Sequence, residues 1–110
     1  MLPEQFTQLA LSFAGTLAAP HFDRTAFKVE HKRIFATLHI ENNTANLKFS
    51  PADQSVFAMI DTAVIYPANN KWGAQGWTTF DLHKVDNAMM LDALDTAYKE
   101  VFKSCPKIKK

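Results

Sequence analysis

A chain of 110 residues has room for one domain, and residues 1–110 read as a single unit without repeat or linker. A hydrophobic fraction of 47%, with nine Phe and two Trp, excludes a disordered segment and supplies a core without disulfide staples. Twelve basic against eleven acidic residues give a net charge of +1, which excludes nucleic-acid binding through bulk charge but leaves a segregated basic face open.

Residues 3–14 predict a helix, with Pro3 in its first turn, Glu4 favouring its dipole, and Phe6, Leu9, Ala10 and Phe13 as one apolar stripe. Gly15 is a natural stop, and residues 20–24 read as a connection. Three short strands follow, over residues 25–30, 33–41 and 45–49, separated by His31-Lys32 and an Asn-rich turn at residues 41–44. Alternation puts Phe27, Val29, Ile34, Ala36, Leu38, Leu47 and Phe49 on one face.

Ser50-Pro51-Ala52-Asp53 is a helix start, with Ser50 as cap and Pro51 at the first helical position. That helix carries Val56, Phe57, Met59 and Ile60 and should end near Asp61 or Thr62. Val64-Ile65-Tyr66 is extended, residues 68–71 are a loop, and residues 77–82 alternate as a last strand. Residues 84–104 hold the longest helix, capped by Asp86 and ended by Pro106, with Leu91, Leu94, Tyr98, Val101 and Phe102 as its stripe. The order α-β-β-β-α-β-β-α predicts an α+β fold: an antiparallel sheet with helices packed on one face and the other face at least partly open.

Cys105 is the only cysteine, so no disulfide can form within the chain. No basic segment followed by an apolar one opens the sequence, and no apolar run approaches the ~20 residues that span a bilayer. The expectation is a cytoplasmic protein without a membrane partner. The only charge run, Lys103, Lys107, Lys109 and Lys110, reads as a solvated terminus.

Several short motifs bring a family into view. Phe35-Ala36-Thr37-Leu38, then Leu47-Lys48-Phe49-Ser50-Pro51 with an acidic residue and Gln54 after it, then Tyr66-Pro67, Trp72-Gly73-x-x-Gly76-Trp77 and Asp81-Leu82 resemble the MmcQ/YjbR family in order and spacing. The resemblance runs from about Phe6 to Val101, and the Trp-Gly element is its most specific part. It implies a CyaY-like α+β fold, related in shape to the frataxin-type sandwich. It also implies a DNA-binding role through a double-wing arrangement, and it brings no enzymatic activity and no cofactor. Iron binding does not come with the shape, because an acidic ridge would be needed and the first helix carries only Glu4 as a charged residue.

The candidate site has two parts. Gly73 and Gly76 permit positive φ or close backbone approach between the two indoles, with Lys71 alongside. Trp72 and Trp77 then form either an aromatic platform that stacks a base or ligand, or plugs at the edge of a small core. Trp77 should project from a strand toward the open face, while Trp72 stays in the loop as an edge plug. The second part is the open face itself, on which alternation places Lys28, Arg33, Phe35, Thr37, His39, Asn46, Lys48, Trp77 and Thr79. Cations and aromatics with few acids suit phosphates and bases. The same composition also suits a protein partner or a merely solvated face.

Enzymatic signals are weak. There is no Gly-x-Ser-x-Gly elbow and no phosphate loop, and no acid, base and nucleophile can be placed together. Among His21, His31, His39 and His83, only His21 with Asp23 could share a face, with no third metal ligand to join them. His21 instead reads as part of a local hydrogen bond or a binding rim. The leading expectation is a non-enzymatic DNA-binding, or more broadly nucleic-acid-binding, module without metal or cofactor. In it Lys28, Arg33, Lys48 and Lys71 meet phosphates, and Trp72, Trp77 and Phe35 stack or wedge. The alternative is a protein- or small-molecule-binding domain using the same face and the Trp-Gly loop. The oligomeric state is not legible.

Overall fold

Alternating apolar residues on several short strands bury one face of a sheet, and helices with apolar stripes cover it. A computed structural model describes residues 1–103 in this way. The order is α1 (Pro3–Leu11), β1 (Thr16–His21), β2 (Arg24–Val29), β3 (Ile34–His39), β4 (Thr44–Lys48), α2 (Pro51–Ala58), β5 (Ile65–Pro67), α3 (Asn70–Ala74), β6 (Trp77–Asp81) and α4 (Asn87–Lys103). The strands form one sheet in the order β1-β2-β3-β4-β6-β5, antiparallel throughout. Lys107, Lys109 and Lys110 of the lysine run, with Cys105 and Pro106, lie outside the described residues.

The predicted helix starts hold. Ser50 accepts from the Asp53 backbone N–H at 3.1 Å, and Asp86 accepts from that of Met89 at 2.8 Å. Helices α1, α2 and α4 cover one sheet face with a continuous core. Phe6 meets Phe27 edge-on at 5.6 Å, and Phe57 stacks on Phe49 at 4.8 Å. Each fully buried Phe contributes about 1.5–3 kcal/mol of transfer free energy. The buried stripe of α4 is Met90, Ala93, Leu94, Ala97 and Val101. Leu91 and Phe102, expected in that stripe, are exposed at its flank.

Two elements were not anticipated. The meander has four strands rather than three, because β1 runs over Thr16–His21 into the start of the connection expected at residues 20–24, and only Phe22 and Asp23 turn the chain into β2. Ala18-Ala19-Pro20 has little strand propensity, and a proline is tolerated there because β1 is an edge strand. The second addition is α3, five residues within the segment expected as a loop. Helix α2 also ends at Ala58, earlier than Asp61.

A register shift between β2 and β3 changes which side chains face which way. Phe27 pairs with Ala36 but Lys28 pairs with Ile34, so Phe35 is the extra residue of a β-bulge. The bulge breaks the period-two alternation at one point. Phe35 turns into the core, fully buried, with its ring 5.8 Å from that of Tyr98 on α4. Ile34 turns to the opposite face. Both assignments reverse the sequence expectation, and Phe35 is not available to stack on a ligand.

Candidate binding groove on the open sheet face

The face without helices is not flat. Its ladder carries Arg24, Ala26 and Lys28 from β2, Ile34, Thr37 and His39 from β3, Thr44, Asn46 and Lys48 from β4, and Trp77 and Thr79 from β6. Thr37 and His39 are only 8% and 6% exposed although no helix covers them. The β1–β2 turn closes over one side of this face and α3 over the other, leaving a groove between them.

The turn is fastened by a histidine. His39 Nδ1 accepts from the Asn42 backbone N–H at 3.1 Å, so Nε2 carries the proton and donates to Asp23 Oδ2 at 2.9 Å. That hydrogen bond, foremost, holds the Asp23 carboxyl below its ordinary range. Asp23 is therefore committed to His39 rather than joined with His21 as a metal pair. His21 packs edge-on against Phe22, and both line the groove, so His21 does sit at a rim. Phe22 is 93% exposed and holds φ at 59°, a left-handed conformation uncommon for a bulky residue. Among the described residues no cluster of three or more His, Cys, Asp or Glu side chains could hold a metal ion.

The opposite wall explains the two glycines. A Cβ on Gly76 would lie 1.9 Å from the Phe49 carbonyl oxygen, and one on Gly73 would lie 2.1 Å from that of Ala68. Gly76 also holds φ at 104°, which only glycine adopts without strain. Gln54 reaches across from α2 and donates through Nε2 to the carbonyls of Gly73, at 2.9 Å, and Trp77, at 3.1 Å. The spaced glycines and the glutamine thus clamp α3 against the start of β6. The clamp sets Trp72 over the groove, 53% exposed, so it is a groove wall where an edge plug was expected. Trp77 lies on the open face as predicted, half-buried beside Lys48.

Two adjoining cavities result, sharing Arg24, Asn46 and Trp72. The larger, about 420 Å³, has mostly apolar walls from Phe22, Ile34, Trp72 and Trp77. The smaller, about 310 Å³, is polar, with Thr44, Tyr66, Asn69 and Thr79 among its walls. Between them Thr79 Oγ1 donates to Asn46 Oδ1 at 2.8 Å.

The predicted cations are dispersed. Lys28 is half-buried on the open face beside Leu17 and Ile34, and Arg33 is exposed in the turn before β3. Lys71 is exposed on α3. Lys48 sits at the end of β4, its Nζ 3.4 Å from the Phe49 carbonyl oxygen. Burial pushes its pKa down and Arg33 adds to that, while Glu100 opposes. None of these four lines either cavity. Arg24 does, and the sequence reading missed it, along with Phe22 and Tyr66. Recognising Phe22-Asp23 as a two-residue hairpin turn would have placed Arg24 at the start of a strand.

A family model described as YjbR matches residues 11–100. The chain belongs to the YjbR family. The structure is also similar to the crystal structure of Deinococcus radiodurans protein DR2400, which carries a DUF419 domain. The TM-score is 0.81 at 20% identity, over 96% of this chain and 82% of that one. At that identity the likeness establishes a shared α+β fold. No curated protein matches the chain. Among the described residues no helix is long and apolar enough to cross a membrane. In this YjbR chain the Trp-Gly element is accounted for by close backbone approach, and the groove is what that approach builds.

Proposed function

We propose that the chain is a non-enzymatic binding module for nucleic acid, and that the open-face groove takes single strands. The observation that supports this most is the aromatic cavity, where two indoles and an exposed phenyl surround a slot floored by Thr37 and Asn46. A slot of this kind admits an unstacked base and has no room for a duplex. Every base has a π-face to stack, so such a site tolerates many sequences. Lys28 and Lys48 lie on the same sheet face, and Lys71 adjoins Trp72, where a strand crossing the groove would present phosphates. The alternative, a small planar ligand, draws support from the concave shape of the groove.

The test is a tryptophan-fluorescence titration with single-stranded and duplex oligonucleotides over a range of salt. Single strands should bind tighter, with log K falling by about 0.7 per phosphate contacted for each decade of salt. Trp72→Ala should weaken binding at least about fivefold, since one stacked base is worth about 1–3 kcal/mol. The fold should survive, because half of that indole is already in solvent. Absence of binding to any single strand at low salt would sink the reading.

A further inference from the structure

We propose that the two cavities form one seat for a nucleoside monophosphate, with its phosphate on Arg24 and its base between the aromatic walls. This deepens the nucleic-acid reading and rests on it in taking the groove as the ligand site. The nucleotide is either free or one unit of a strand.

Arg24 carries the argument. Its guanidinium is permanently charged, yet Nη1 is withdrawn from solvent and has no hydrogen-bond partner. Among the described residues it makes no ion pair. The carboxylate adjacent in sequence, Asp23, is engaged by His39. A guanidinium N–H withdrawn from water without an acceptor is costly, and the fork of a guanidinium matches phosphate oxygens. Arg24 also lines both cavities, so an anion bound at their junction lies within its reach from either side.

The neighbours divide as a nucleotide divides. Phe22, Trp72 and Trp77 offer ring faces to a base on the apolar side. On the polar side, Thr79 occupies the Asn46 carbonyl oxygen and leaves the Asn46 amide hydrogens without a protein acceptor among the described residues. Those hydrogens are donors for sugar hydroxyls. The cavities, about 420 and 310 Å³, each fall in the size range of small-ligand sites, roughly 300–1,000 Å³.

Calorimetric titration of the full chain with adenosine 5′-monophosphate, adenosine, inorganic phosphate and a single-stranded oligonucleotide decides the matter. The monophosphate should bind at least about tenfold tighter than adenosine. Arg24→Gln should erase that preference. Arg24→Lys should restore only part of it, because an ammonium lacks the planar fork. Equal affinity for nucleotide and nucleoside, or a preference that persists in Arg24→Gln, overturns the seat. If Arg24→Gln fails to fold by circular dichroism, the wild-type preference and displacement of the nucleotide by inorganic phosphate decide instead. An oligonucleotide that binds Arg24→Gln undiminished removes the phosphate seat and leaves the nucleic-acid reading standing. Arg24-dependent binding of the mononucleotide without oligonucleotide binding does the reverse. Binding of neither overturns both.

Discussion

The two faces of this sheet use the same alternation for opposite ends. On the helix side, Phe27, Phe35, Phe49 and Phe80 are fully buried against α1, α2 and α4. On the open side no long helix arrives, and a two-residue turn and the five-residue α3 make the walls instead. The first face is held by area removed from water, which tolerates similar volumes. The second is held by a few directional contacts: His39 to Asp23, Gln54 to two carbonyls, and backbone contacts that only glycine permits. A core of the first kind fixes the fold, while a groove of the second kind is fixed by particular residues.

Substitutions can break that contrast. The bulge turns Phe35 toward the helices and Ile34 toward the groove, so Phe35→Ala should cost about 3–5 kcal/mol by opening a cavity beneath α4. Ile34→Ala, one residue away, should cost no more than about 1 kcal/mol and act on the groove. A larger loss from Ile34→Ala than from Phe35→Ala in urea unfolding would mean that the strand does not bulge there. Gly76→Ala should cost about 3 kcal/mol or more, from the left-handed φ and the collision with the Phe49 carbonyl. Its effect should appear first as amide exchange in α3 and early β6, with the helix-side core opening later.

The smallest effect concerns the β1–β2 turn. His39 holds the Asp23 carboxyl below its ordinary value of 3.8, so the fastening is at full strength above that pH. As pH falls through the lower folded value, the carboxyl takes up a proton and the contribution is lost. Asp23→Asn should therefore loosen the β1–β2 turn at neutral pH, read as faster amide exchange around Phe22. The difference from the parent chain should vanish in strong acid. A difference that persists there would mean that something other than this charge holds the turn.

Much of this was legible from local chemistry. Ser50-Pro51 and Asp86 announced their helices because a cap needs only its own neighbours. The strands over residues 25–49 and 77–81 were legible because side-chain period follows from backbone geometry. Family membership was legible in the spaced Trp-Gly motif. Strand β1 was hidden because Ala-Ala-Pro owes its extended form to pairing with β2 and not to propensity. Phe35 was misplaced because a bulge depends on the partner strand, and one extra residue inverts the alternation before it. Arg24 was passed over because nothing in His21-Phe22-Asp23-Arg24 says that this turn folds toward α3, nearly 50 residues away in the chain. By itself the sequence determined most of the helices and strands and most of the apolar core, since both follow from near-neighbour sterics and periodicity. The groove, and which side chains face it, was decided only when tertiary packing brought the hairpin turn and the glycine corner to the same side of the sheet.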